Sequence, residues 1–109
     1  MSGRRTIKNV ERVVREFRRR VERRLGFPVE VRLFGSYVRG EATEESDIDV
    51  VVVVPSLNSA VLDTLLDLAW EVGFQRGCVL SVTPVGRAEI ERLKPSPFWQ
   101  SVERESVVI

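Results

Sequence analysis

Histidine is absent from the 109 residues. That removes imidazole metal ligands and every catalytic arrangement built on a histidine base. A single cysteine, Cys78, excludes an intramolecular disulfide framework and fits a reducing, cytoplasmic setting. The longest apolar run, Val50–Val54, is far too short to cross a bilayer, so no membrane partner is expected. The N-terminal segment is charged with no apolar stretch behind it, and no signal peptide is expected. One methionine, two asparagines and two glutamines set against many arginines, glutamates and valines give a thermophile-like balance.

What is present describes a single globular domain over residues 1–109, with 43% apolar and 30% charged residues. The net charge of +1 conceals two unlike parts. Residues 1–25 hold ten Lys/Arg against three Glu, a net of +7; residues 26–109 hold seven against thirteen, a net of −6. A basic first segment on an acidic body calls for self-complementary packing or an acidic partner.

Taken in order, Thr6–Leu25 reads as an amphipathic helix. Ile7, Val10, Val13, Val14, Phe17, Val21 and Leu25 form one stripe, and ten basic residues from Arg4 to Arg24 cover most of the rest. That basic surface is a solvated face or a contact for RNA, DNA or an acidic protein. It lacks the aromatic interleaving of base-specific readers. Gly26 and Pro28 stop the helix. Val29–Phe34 alternates as a half-buried strand and breaks at Gly35-Ser36, where Tyr37-Val38-Arg39 predicts a short helical turn before Gly40. An acidic loop, Glu41–Ser46, leads to a second strand, Asp47–Val54, whose five consecutive valines predict a central strand covered on both faces. A second helix over Leu57–Val72 carries a broad apolar face, including Leu66, with Asp63 and Asp67 on its polar side. Gly73 or Gly77 closes it. A third strand over Cys78–Val85, a short helix over Arg87–Leu93, a last helical turn over Phe98–Glu105 and an edge strand near Ser106–Ile109 complete the chain.

Chemistry concentrates between Gly35 and Val54, in GSYVRGEATEESDIDVVVVV. In a strand, residues i and i+2 share a face, so Asp47 and Asp49 point the same way, about 7 Å apart along the chain. Two carboxylates on one face are costly unless a positive charge sits between them. A divalent cation with hard oxygen ligands, Mg²⁺ bridging to phosphate, is the usual solution. The Gly35 and Ser36 amides at the start of a helical turn suit phosphate, Arg39 offers a cation in the same loop, and Ser46 is placed to cap or orient the second strand. Taken singly, Gly35-Ser36 is an ordinary turn, Arg39 a loop cation and Asp47 a turn cap. Asp49, one residue into a buried strand, needs a partner.

The order Gly-Ser, Arg-Gly, Ser-Asp-x-Asp and a valine-rich strand resembles the signature of the polymerase β-like nucleotidyltransferase superfamily. The short length and the ending PSPFWQSVERESVVI are similar to its minimal nucleotidyltransferases. The resemblance covers most of the chain from residue 29 onward. It implies an α/β (α+β) nucleotidyltransferase fold, a small mixed β-sheet with helices packed on it. It assigns Gly35 and Ser36 to a triphosphate, with Arg39 and Ser46 beside it, and Asp47 and Asp49 to Mg²⁺ or Mn²⁺ and to catalysis. It also implies ATP as substrate, transfer of AMP to a hydroxyl, and a helical HEPN-type protein as partner in a toxin–antitoxin pair.

One departure stands out. Active members carry a third carboxylate on a later strand, whereas Val79–Val85 contains no Asp or Glu, and Ser81 falls near that place. Two readings follow: an enzyme transferring a nucleotidyl group, or a catalytically weak nucleotide-binding antitoxin or regulatory subunit that acts by complexation. A purely structural domain leaves Asp49 unexplained.

Overall fold

The computed structural model describes residues 6–109. Arg4 and Arg5, part of the expected basic surface, lie outside the described residues. Helix α1 spans Ile7–Leu25; Thr6 caps it by accepting the Asn9 N–H at 3.2 Å, and Gly26 ends it in the left-handed region at φ 83°. Val10, Val14, Phe17 and Val21 of its stripe are fully buried, as the spacing predicts, Val13 and Leu25 are half-buried, and Ile7 in the first turn is exposed. Strand β1, Glu30–Phe34, follows; a four-residue helix α2, Ser36–Arg39, then connects through the acidic loop to β2, Ile48–Val54. Helix α3, Ser59–Arg76, is capped by Asn58, which accepts the Val61 N–H at 2.9 Å, and leads to β3, Leu80–Gly86. A 3₁₀ turn, Arg87–Glu89, runs into α4, Ile90–Leu93, then α5, Pro97–Glu105, and β4, Val107–Val108.

The four strands form one mixed sheet in the order β3-β2-β1-β4. β1 is antiparallel to β2 and to β4, while β2 and β3 are parallel, joined by α3 as the crossover. β2 is therefore central, and all five valines are buried. Alternation divides them. Ile48, Val50, Val52 and Val54 pack under α1 and α3; Val51 and Val53 face Val85, Trp99 and Val102, with Phe34, Ile90 and Leu93 around them. The C-terminal helices thus cover the second face, and β4 pairs with β1 as the expected edge strand.

Three sequence expectations change. Asp47 lies one residue before β2 rather than in it. α3 extends beyond the expected Val72 to Arg76 and is closed by Gly77, the second of the two glycines expected to end it, while Gly73, lacking a Cβ, lets the Cys78 carbonyl come within 2.6 Å of where one would stand. Leu66, expected on the packed face of α3, is 48% exposed. The reason is angular: α3 buries Val61, Leu65, Leu68, Ala69 and Val72, and Leu66 lies beyond the edge of that face.

The basic helix is partly self-complemented. Arg20 bonds Glu16 at 2.7 Å and reaches Glu71 on α3 at 3.1 Å, and Arg76 on α3 also pairs with Glu16. No helix among the described residues is long and apolar enough to cross a membrane.

Candidate functional site

The end of β1 and the beginning of β2 meet at one place. Antiparallel register pairs Phe34 with Asp49, so the chain must turn at Gly35 directly beside the Asp49 side chain. Gly35 does so at φ 82°, ψ −150°, backbone that only glycine adopts readily. Its carbonyl accepts the Val38 and Arg39 N–H groups at 3.1 Å, which starts α2, and Gly40 ends that helix at φ 74°. A Cβ on Gly35 would overlap Asp49 Oδ2 and come within 3.0 Å of its Cγ. The expected helical turn after Gly35-Ser36 is therefore present, with the Asp49 carboxylate against its first residue.

Asp49 is half-buried and Asp47 exposed. Burial raises the Asp49 pKa above the ordinary carboxylate value; the Asp47 charge raises it further, and Arg39 opposes both. Asp47 and Asp49 thus act on one another although Asp47 lies just outside the strand, and the Arg39 guanidinium offsets them. That guanidinium is engaged. Arg39 Nε donates to Glu41 at 3.0 Å, and its Nη1 lies 3.8 Å from Glu105 on α5. The approach of Glu105 had no signal in local spacing, because it depends on how α5 folds back over the sheet.

Ser46 serves the loop. Its hydroxyl accepts the Thr43 N–H at 2.9 Å, and its own N–H donates to the Thr43 carbonyl at 3.0 Å. The Ser46 side chain thereby fixes the turn that delivers Asp47 to the sheet. Ser81 is the direct neighbour of Asp49 in the parallel ladder, and Thr83 of Val51. Paired residues of neighbouring strands point to the same face, so Ser81 stands beside Asp49 on the face that carries it. No group of three or more His, Cys, Asp or Glu side chains converges among the described residues.

The donor set can still hold a cation of the right kind. Two adjacent carboxylates, one pushed toward protonation by burial and by the other, suit a hard divalent ion that completes its shell with phosphate oxygens and water. They do not suit a metal that needs nitrogen or sulfur ligands.

Known proteins resemble this chain to different extents. Protein adenylyltransferase MntA of Thermococcus cleftensis is 40% identical over 55 residues, which is 48% of this chain and 54% of that protein. The bifunctional uridylyltransferase/uridylyl-removing enzyme of Burkholderia orbicola is 35% identical over 65 residues, 54% of this chain and 8% of that enzyme. The chain thus spans about half of the first relative and a small part of the second. A Methanocaldococcus jannaschii protein named as a protein adenylyltransferase is 34% identical over 74 residues, 67% of this chain and 70% of that one. A solved structure described as a minimal nucleotidyltransferase matches with a TM-score of 0.63 at 25% identity, over 97% of this chain and 98% of that one. The family model for the nucleotidyltransferase domain spans residues 14–103, from the middle of α1 to α5. With the Gly-Ser turn, the paired aspartates and the valine strand all inside that span, the chain belongs to the nucleotidyltransferase domain family.

Proposed function

We propose that this chain binds a nucleoside triphosphate, ATP, together with Mg²⁺ or Mn²⁺, and transfers AMP to a hydroxyl of a partner protein or small acceptor, the acceptor oxygen replacing pyrophosphate on the α-phosphorus and its proton passing to solvent. The observation that carries the reading is the contact of Asp49 with Gly35, which sets a carboxylate against the turn that would receive phosphate. In this reading Asp47 and Asp49 hold the cation, the Gly35-Ser36 turn receives the triphosphate, and Arg39 leaves Glu41 to meet a phosphate oxygen. Ser46 keeps Asp47 in place. The cation, when bound, neutralises charge on the phosphates and polarises the reacting phosphoryl group. The names of the Thermococcus and Methanocaldococcus relatives support adenylyl as the group and protein as the acceptor. A helical HEPN-type protein, with this chain as its cytoplasmic antitoxin, is the partner proposed.

A second reading has its own observation. Ser81 stands next to Asp49, where a third carboxylate would complete the set, and a neutral hydroxyl is a poor base at neutral pH. On that reading the chain binds nucleotide and regulates its partner by complexation. Incubation with labelled ATP, Mg²⁺ and the partner distinguishes the two. Label on the partner that disappears in Asp49→Ala supports transfer, whereas Mg²⁺-dependent ATP binding without label supports the regulatory reading. Calorimetry that detects no Mg²⁺-dependent nucleotide binding sinks both.

A further inference from the structure

α3 carries large apolar side chains on its outward face. Positions 63, 66, 67, 70 and 74 recur at three- and four-residue spacing, so Asp63, Leu66, Asp67, Trp70 and Phe74 share one stripe. Leu66, Trp70 and Phe74 are 48%, 69% and 73% exposed, and Val79, just before β3, is 59% exposed. The Trp70 and Phe74 rings stack with centroids 5.2 Å apart and planes 15° from parallel. These four residues line one recess of about 290 Å³. Phe74 and Val79 also line the adjoining cleft of about 350 Å³, which extends to Glu45 and Asp47. A continuous exposed apolar patch marks a docking surface, and rigid aromatics are the usual anchors of one.

The charge around the patch selects its occupant. Asp63 and Asp67 flank the apolar residues, and Glu45 and Asp47 close the far end of the cleft. None of the four has an ion-pair partner among the described residues. Among the described residues, no cation lines either recess. A twofold contact between two copies, α3 against α3 about Trp70, would set Asp63 and Asp67 of one copy against the 73–77 end of the other, beside its Glu45 and Asp47. Like charges would meet. The exposed Arg12, Arg19 and Arg23 of another copy's α1 match the acidic rim but bring nothing apolar for Trp70 and Phe74. Strand addition on β3 is limited too, since Pro84 lacks an N–H and the Gly86 N–H already bonds Glu89 at 3.0 Å.

We propose that the Trp70–Phe74 face of α3 docks an amphipathic helix of a different protein, one whose apolar anchors are flanked by lysine or arginine. The inference goes beyond the nucleotide reading, because Leu66, Trp70, Phe74 and Val79 have no part in holding phosphate or cation. The cleft leading to Asp47 sets the docked partner beside the candidate site.

The test titrates the chain with two helical peptides of equal length, one of Leu and Lys, the other with Glu at every Lys position, read by tryptophan emission and sedimentation. The Leu/Lys peptide is expected to bind with a blue shift that Trp70→Ser abolishes. Phe74→Ser, and the pair Asp63→Asn with Asp67→Asn, should each weaken it at least tenfold, and the Leu/Glu peptide should not bind. Equal binding of both peptides, binding of neither, or binding indifferent to Phe74→Ser overturns the proposal. So does a dimer of the free chain that Trp70→Ser abolishes, since the face would then belong to a second copy. Both serine variants change exposed positions and should keep the far-UV circular dichroism and Mg²⁺-ATP affinity of the parent. Failure here therefore leaves the nucleotide reading standing, and the reverse holds.

Discussion

The carboxylate of Asp49 lies so close to Gly35 that no side chain can occupy the glycine position while Asp49 keeps its place. Two requirements coincide at Gly35: a positive φ that other residues avoid and a volume the aspartate already fills. Gly35→Ala should cost about 1–3 kcal/mol from backbone strain, plus the displacement of Asp49. Urea unfolding of Gly35→Ala, Asp49→Ala and the double variant measures the coupling. The double variant should be more stable than the sum of the single effects predicts, because truncation removes the colliding Oδ2 and Cγ. Strict additivity would mean that the contact has no energetic consequence.

Asp49 also sets a pH dependence. Its folded pKa is raised, first by burial and then by Asp47, so the folded state holds this proton more tightly than the unfolded chain does. Without metal, the stability linked to Asp49 is fully present below the ordinary aspartate pKa and is lost as pH rises through the raised value. Asp49→Asn should remove that segment of the stability–pH curve. A divalent cation reverses the preference, and Mg²⁺-ATP binding should tighten as pH rises through the same range, with proton release detectable by calorimetry in buffers of different ionisation enthalpy. Binding that is flat with pH would detach Asp49 from the cation.

Ser81→Asp adds a third carboxylate beside Asp49. In the metal-free protein it should lower stability at neutral pH by about 1 kcal/mol through like-charge contact, and the loss should shrink when Mg²⁺ is added. If the missing carboxylate limits turnover, the same variant should raise label transfer from ATP at least tenfold. Unchanged transfer, with tighter Mg²⁺ binding, would show that the carboxylate number is not limiting.

The clasp between α1 and α3 titrates in the opposite sense. Hydrogen bonding from Arg76, followed by the charges of Arg76 and Arg20, lowers the Glu16 pKa. Its contribution is therefore present above the ordinary glutamate value and is lost as pH falls through the lowered one. Glu16→Gln should cost about 0.5–1 kcal/mol at pH 7, the range for a largely solvated network, and little at a pH below the lowered value. Thermal unfolding at the two pH values checks it. An equal cost at both would assign the effect to packing.

The elements of this chain follow from short-range chemistry in its sequence. The stripe Val10, Val14, Phe17 and Val21, the caps at Thr6 and Gly26, the Gly35 turn and the unbroken valines of β2 each rest on neighbours within a few residues. The nearness of Asp47 to Asp49 is likewise a matter of two residues along the chain, although Asp47 stands just outside the strand. Tertiary structure alone decided the rest. The partnership of Ser81 with Asp49 depends on the register of β3 against β2, and the approach of Glu105 to Arg39 on the path of α5. Leu66 faces outward because the rotation of α3 over the sheet places Val61, Leu65, Leu68, Ala69 and Val72 inward instead. A broad apolar helix face does not encode that rotation: several settings bury similar area, and the packing of α3 against α1 and β3 selects one. The same rotation leaves Trp70 and Phe74 in solvent, with Phe74 lining the cleft that reaches Asp47.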